Sequence, residues 1–524
     1  MTDGSTQPRV TIPPRFNITA ALIARRATAG DGSRVAVEIG DQRWTYDGIA
    51  QLTARAGNGL RSLGVAREQR VVIILPDSTE FIAAFLGTML IGAVAVPCST
   101  FLGPSDYTYF LRDARAPVII TTTELLERLD LSSVPTLAHI VLIDRPDDDG
   151  RLRSWTRLLE SASPVCEPAE THKDDPAFWL WTSGSTGEPK GAVHLHQDAP
   201  WCCELVGIGV YGMSAVDRVY SAAKLFHAYG LCNGLFFPFW VGGTTILHPG
   251  RSTHHAVYSI IDRARPTIFF GVPTLYAVLL QVTDAEQRFN LSSLRFCVSA
   301  GEPLPAELYR RWLARFGTEI LDGIGSTELL NMYICSRPGS VRPGSSGVVI
   351  DGYAMKIVDE YGESVGPNQV GDLLVSGPSC AIMYWDRREE TKQKMLGEWF
   401  VSGDKYVVDD DGYYWFKGRS DDMFKASGEW ISPIEIESLL MEHAAVVECA
   451  VVAWQETIGV VRPKAFVVLT ENAVAGDAMV LELQTFIRAR AAHYKCPRTI
   501  EFITELPKTA TGKLQRFKLR GRVL

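Results

Sequence analysis

The 524-residue chain has no CxxC pair among its ten cysteines, at positions 98, 166, 202, 203, 232, 297, 335, 380, 449 and 496. That absence removes the simplest zinc and dithiol-redox readings, and most of these thiols sit in apolar surroundings where cysteine acts as a small core residue. A basic excess is missing too: 52 Lys and Arg face 60 Asp and Glu, giving a formal charge of -8 and a pI near 5.8. A nucleic-acid binder would carry a basic domain or stripe, so no nucleic-acid partner is expected. The opening "MTDGSTQPRVTIPPRF" lacks the basic start and apolar run of a signal peptide and reads as a loose leader to a cytoplasmic protein. One apolar run, "FIAAFLGTMLIGAVAVP" at 81–97, approaches membrane-spanning length. Gly87, Gly92 and the switch to Ala-Val-Ala-Val before Pro97 mark it instead as a buried helix turning into a buried strand, and no membrane partner is expected.

What is present is an ordinary globular composition, 46% hydrophobic and 21% charged, in a chain too long for one compact core. Short β-branched runs recur with helical segments between them: "VVIIL" (71–75), "VIITT" (118–122), "HIVLI" (139–143), "TTILH" (244–248) and "TIFFGVP" (267–273). This alternation predicts an α/β protein with mostly parallel, helix-covered sheets. From about residue 350 glycine-punctuated short strands take over, as antiparallel hairpins or a small barrel. Ser432 and Pro433 then open a helix as cap and first-turn proline, and "VVECAVVAW", "KAFVVLT" and "ELQTFIRARAAHY" add strands and a helix. The domain boundary falls at Asp421, giving domains 1–420 and 421–524.

The stretch "WTSGSTGEPKG" (181–191) supplies what a phosphate cradle needs: glycines for close backbone approach, hydroxyls as donors and a lysine for charge. Its spacing fails the P-loop pattern, because Glu188 and Pro189 separate Gly187 from Lys190 and Gly191 follows the lysine. A P-loop ATPase or kinase is therefore not expected, and alone the stretch could equally be a surface loop.

Five further stretches accompany it: "SAGEPLP" (299–305), "DGIGSTE" (322–328), "WFVSGD" (399–404), "YWFKGRSDDMFKASGEWISPIEIE" (414–437) and "LPKTATGKLQR" (506–516). In this order they resemble the adenylate-forming superfamily of acyl-CoA synthetases, firefly luciferase and peptide-synthetase adenylation domains. "DDPAFWLWTSGSTGEPKGAVHLHQDAP" and "FHAYGLCNGLFF" look most like the benzoate-CoA ligase group. The resemblance implies a large N-terminal domain of two parallel-type α/β sheet subdomains plus a small β-barrel, followed by a small mobile α+β C-terminal domain. It also implies ATP, Mg2+ and CoA as cofactor and co-substrates, with a small aromatic acid as the partner to be activated.

Roles carry over residue by residue as expectations. Thr182, Ser183, Gly184, Ser185, Thr186, Gly187 and Lys190 would embrace the β- and γ-phosphates of ATP. Thr327 would meet the α-phosphate and Glu328 the magnesium, for a hard cation wants a carboxylate plus phosphate oxygens. Ala300, Gly301, Glu302 and Pro303 with Asp322, Gly323 and Ile324 correspond to the adenine slot, and Asp404 with Arg419 to the ribose. Lys513 matches the lysine that reaches the carboxylate and α-phosphate during adenylation. Asp421 falls at the hinge, Gly428 where a side chain would block pantetheine, and Tyr494 and Arg498 in a segment that meets the CoA nucleotide.

The acyl pocket is expected from Phe226, His227, Ala228 and Tyr229, with Ala300, Gly325, Asn331 and Met332; His227 would stand beside the reactive carboxylate. These residues suit a flat ring, and Phe226 and His227 offer no carboxylate for an amino acid's ammonium group. Where benzoate ligases tend to carry histidine and an aliphatic residue, this chain has Asn331 and Met332. An amide that both donates and accepts points to a substituted ring, 2-aminobenzoate first and hydroxybenzoates next. Three other readings stay open: loading of a separate carrier-protein thiol, a luciferase-like oxidation, and a nucleotide sensor, which would be expected to have lost Lys513 or Glu328.

Overall fold

The computed structural model describes residues 10–183, 188–420, 422–426, 429–455, 461–470, 472–508 and 514–520. Each β-branched run singled out in the sequence forms a strand, and the apolar stretch at 81–97 divides as its glycines require. Ser78 caps the helix Thr79–Leu90 by accepting from the Phe81 amide. Gly92 turns the chain at φ +76°, and the strand Val94–Pro97 follows, fully buried. A turn in the left-handed region is the kind glycine makes at no steric cost.

Two large sheets organise the first 350 residues. In the nine-stranded sheet the neighbours Ile320–Gly325, Phe296–Ser299, Ile268–Gly271, Arg218–Ser221, Thr244–Leu247 and Val35–Ile39 all run parallel. Antiparallel strands Met332–Cys335 and Gln42–Thr45 flank them. In the eight-stranded sheet, Val94–Pro97, Arg70–Ile73, Val118–Thr121, His139–Leu142 and Leu152–Ser154 are parallel, and the hairpin Pro176–Ser183/Pro189–Leu195 is joined at its outer side by Met383–Tyr384. Strands buried on both faces need near-continuous apolar sequence, which is what these runs provide. One core unites the two sheets: Val71 and Ile73 of one and Val219, Ile268 and Val298 of the other belong to the same buried cluster.

Where a small barrel is expected, five antiparallel strands form one sheet around the long strand Trp399–Val408, which pairs with Gly371–Ser376, Met395–Leu396 and Tyr414–Arg419. Among the described residues its pairings do not close into a ring. Beyond it the helix Pro433–Met441 begins as expected, with Ser432 accepting from the Glu435 amide. It packs with the helix Asp477–Arg488 and the strands Val446–Gln455, Val461–Leu469 and Thr499–Phe502 around a separate core that includes Ile436, Val451, Val467 and Leu483. No helix among the described residues is long and apolar enough to cross a membrane.

Candidate active site

A cavity of about 930 Å3 opens outside the carboxyl ends of the parallel strands, where open α/β sheets bind their ligands. Its walls are the residues that leave those strands: Ala222–Lys224 after Arg218–Ser221, Val272 after Ile268–Gly271, and Ala300–Glu302 after Phe296–Ser299. The second sheet contributes Phe101, Thr182 and Lys190, and the antiparallel sheet contributes Phe400, Asp404 and Arg419. Residues separated by hundreds of positions therefore meet because two sheets present the same ends to one space.

The hairpin sets Thr182 opposite Lys190 in register. The Lys190 side chain is only 11% exposed, with Nζ 3.9 Å from Glu390 and 5.6 Å from the centre of the Tyr384 ring. Ser183 ends the first arm of the hairpin, and residues 184–187 lie outside the described residues.

Thr327 and Glu328 stand on the short 3-10 turn Thr327–Leu329, entered from Ser326, whose hydroxyl accepts from the Leu329 amide. Leu330 follows at φ +66°, a conformation that costs a non-glycine residue energy and persists only where the surroundings fix it. Three successive carbonyls of the turn are held. His194 Nε2 lies 2.8 Å from the Thr327 oxygen, the Ala381 amide donates to that of Glu328, and the Ser379 hydroxyl donates to that of Leu329. The buried Glu328 carboxylate accepts from the Tyr384 hydroxyl at 2.5 Å. Tyr384 is also a cavity residue.

Gly325 must be glycine, since a Cβ there would sit 2.5 Å from the Asn331 oxygen. Its close approach brings Asn331 and Met332 into the same wall as His227, Ala228, Tyr229 and Ala300. The Asn331 Oδ1 accepts from the Met332 amide at 2.8 Å, which fixes the amide orientation and leaves Nδ2 without a hydrogen-bond partner. His227 Nε2 is likewise unpartnered, and burial lowers that imidazole to about 4, so it is neutral at pH 7. Tyr229 is anchored behind the wall, its hydroxyl donating to the Val298 carbonyl at 3.2 Å. Phe226 is the exception among the expected pocket residues: it does not line the cavity. Its ring is buried against Phe101, 5.8 Å between centres, and behind His227, so it shapes the wall from the rear.

A second cavity of about 580 Å3 shares Gly301, Glu302, Gly325, Asp404, Arg419 and Lys508 with the first and adds Pro303, Asp322, Gly323 and Ile324. Asp322 is buried and accepts from the Leu304 amide through Oδ2 at 3.3 Å, while Oδ1 has no partner. Burial pushes its carboxyl well up. Asp404 and Arg419 are cross-strand partners, with Nη1 2.9 Å from Oδ1.

The end of the chain reaches this space as well. Lys508 and Leu514 form an antiparallel bridge, and the Leu514 amide donates to Glu302 Oε1 at 3.1 Å. Lys513 itself, like Asp421 and Gly428, lies outside the described residues. Tyr494 and Arg498 are not in the main cavity; with Arg462, Arg488 and His493 they line a separate hollow of about 290 Å3 on the C-terminal unit. Tyr384, Phe101 and the His194 contact were not among the sequence candidates. Only the register of Met383–Tyr384 against Pro189–Leu195 and the packing of the two sheets bring them here, and neither is written in a local motif.

A cavity of this size, with Lys190 opposite Thr182 and the buried carboxylates of Glu328 and Asp404 in its walls, suits a nucleotide-using enzyme, and comparison with known proteins gives the class. The AMP-binding enzyme family model matches residues 24–385 and the AMP-binding enzyme C-terminal domain matches 435–513, so the chain belongs to this family. It is benzoate-CoA ligase-like within it. A benzoate-CoA ligase of Thauera aromatica is 46% identical over 521 residues, 99% of this chain and 98% of that protein. A 4-hydroxybenzoate-CoA/benzoate-CoA ligase of Rhodopseudomonas palustris is 38% identical, covering 97% and 94%. Among solved structures, an anthranilate CoA ligase in complex with anthranoyl-AMP matches with a TM-score of 0.93 at 40% identity, covering 98% of each chain. A benzoate CoA ligase from Burkholderia xenovorans LB400 matches with a TM-score of 0.89 at 40% identity, covering 96% and 100%.

Proposed function

We propose that the protein is an AMP-forming aryl-CoA ligase: it activates a benzoate-type acid with ATP as the acyl-adenylate and transfers the acyl group to the CoA thiol. The observation that carries this reading is that one wall of the 930 Å3 cavity, formed by Ala228, Tyr229, Ala300 and Met332, adjoins Thr327, Glu328 and Lys190 in the same space. The carboxylate oxygen of the acid attacks the α-phosphorus and pyrophosphate leaves; the thiol then adds to the acyl carbon and AMP leaves. Both steps need charge neutralised and geometry fixed. In this reading Lys190, Thr182 and residues 183–187 hold the β- and γ-phosphates, and Thr327 meets the α-phosphate. The unpartnered acceptor of Asp322 matches the amino group of an adenine, and Asp404 with Arg419 faces the ribose. His227, neutral and unpartnered, would stand beside the acid's carboxylate.

Among the described residues no three His, Cys, Asp or Glu side chains form a metal cage. The buried Glu328 carboxylate beside Thr327 fits a magnesium ion, which usually takes one or two carboxylates together with substrate phosphates. When bound, the ion would neutralise phosphate charge at that carboxylate.

For the acid, the reading favours a substituted benzoate with 2-aminobenzoate in first place. Asn331 in the pocket wall and the likeness to the anthranilate ligase support it. A hydroxybenzoate is the second reading, because the unpartnered Asn331 Nδ2 is a donor and a ring hydroxyl can accept from it. Domain motion about Asp421, with Lys513 presented for adenylation and Gly428, Tyr494 and Arg498 turned towards CoA afterwards, belongs to the same proposal. It is tested by Asp421→Pro, which should keep adenylation and damage thioester formation; normal CoA transfer by that variant would refute the hinge. The function itself is tested by CoA-dependent aryl-CoA formation from a panel of benzoic acids.

A further inference from the structure

His194 and Asp198, four positions apart, form a pair to which the sequence reading gave no role. Both are fully buried, at 0% and 1% side-chain exposure, with Nδ1 2.9 Å from Asp198 Oδ2. The same carboxylate oxygen accepts from the Leu195 amide at 3.0 Å. The far ring nitrogen, Nε2, meets the Thr327 carbonyl at 2.8 Å, and the imidazole stacks on Phe178 with 5.2 Å between ring centres.

A carbonyl only accepts, so Nε2 carries a hydrogen. One more proton must lie between Nδ1 and Oδ2, whichever atom holds it, because two bare acceptors would repel at that distance. The pair is therefore neutral as a unit, the arrangement a dry site tolerates, and the ring has one orientation. The side chain spans from the strand Pro189–Leu195 to the strained turn that carries Thr327 and Glu328.

We propose that His194 and Asp198 are positioning residues for the adenylation step: Asp198 orients the imidazole, and its Nε2–H holds the Thr327 carbonyl so that the Thr327 hydroxyl and Glu328 carboxylate face the phosphates. Neither side chain lines the cavity, so they act through the turn. This rests on the function proposed above. Carbonyl 327 accepts from the Leu330 amide within the turn, and His194 is the side chain that grips it from outside, immediately before the carboxylate; the Ala381 amide and the Ser379 hydroxyl hold carbonyls 328 and 329.

The test uses the full-length enzyme and three variants, His194→Leu, His194→Gln and Asp198→Asn. Glutamine keeps an N–H donor at similar reach, leucine keeps bulk alone, and the asparagine variant keeps size while removing the carboxylate. Four quantities are measured per folded molecule: MgATP binding, adenylation kcat and KM, thioester formation from preformed aryl-adenylate, and the melting temperature. The expected result for His194→Leu is MgATP binding weakened at least tenfold and adenylation lowered at least tenfold, with thioester formation within twofold of wild type. His194→Gln should recover most of the loss and Asp198→Asn should fall in between. Adenylation equal to wild type in His194→Leu, equal loss of both half-reactions, or a glutamine variant as poor as leucine would overturn the proposal. If the wild type binds MgATP and adenylates no aryl acid, the function proposed above fails, while the positioning role is still judged by MgATP binding in the same variants.

Discussion

Tyr384 donates its hydroxyl hydrogen to Oε1 of Glu328 at 2.5 Å, across 56 residues of sequence, and its ring lies 5.6 Å from Nζ of Lys190. One side chain thus touches both the carboxylate and the lysine assigned to the phosphates. The link exists because Met383–Tyr384 pairs with Ala192 and Val193 on the hairpin that carries Lys190.

Tyr384→Phe should leave the ring contact and remove the hydrogen bond, freeing the Glu328 carboxylate to rotate. A hydrogen bond to a charged group is worth about 1.5–3 kcal/mol, so adenylation should fall by roughly 10- to 100-fold. Pyrophosphate exchange measured against magnesium concentration checks this; unchanged exchange would mean that the bond has no part in the reaction.

Lys513 lies outside the described residues, but its neighbour Leu514 donates to Glu302 in the proposed nucleotide slot. Lys513→Ala should therefore lower adenylation by on the order of 100-fold or more, the scale for losing one donor to developing charge. Thioester formation from preformed adenylate should suffer less. Equal damage to both half-reactions would contradict the assignment.

Asn331→Leu should shift selectivity towards unsubstituted benzoate. Apolar fit alone discriminates by roughly 10- to 200-fold, whereas a matched buried polar group discriminates more. The ratio of kcat/KM for 2-aminobenzoate or hydroxybenzoate to that for benzoate should fall at least tenfold. A ratio unmoved by the substitution would remove Asn331 from substrate recognition.

Stability should fall on mild acidification. His196 is buried, accepts from the Ile18 amide through Nδ1 at 3.2 Å, and is lowered by burial to about 4. The unfolded chain takes up the proton near pH 6.5 and the folded chain only near 4, so the contribution is full above about 6.5 and is lost as pH falls towards 4. His227 acts in the same direction. Asp77, raised to about 6 by burial, acts oppositely as pH falls from there towards 3.8. His196→Asn should therefore show a smaller drop in melting temperature between pH 7 and pH 5 than wild type, a difference worth about 2 kcal/mol at most.

The sequence carried the fold wherever a run of β-branched residues is its own signal: Arg70–Ile73, Val118–Thr121 and Ile268–Gly271 are strands whose interiors nothing charged interrupts. It carried much of the cavity through residues that sit beside glycine for steric reasons, as at Gly325. Tyr384, Phe101 and His194 stayed hidden because their neighbours are set by register and by the packing of one sheet on another. Phe226 shows the converse: its motif marks the right segment, but burial against Phe101 turns the ring away from the space its neighbours line.

The most direct measurement is incubation of the purified protein with ATP, magnesium and a panel of benzoic acids, following AMP with and without CoA and identifying products by mass spectrometry. The account predicts CoA-dependent aryl-CoA formation, fastest with 2-aminobenzoate or a hydroxybenzoate. An adenylate that accumulates despite CoA, with the acyl group accepted instead by a carrier-protein thiol, would contradict it.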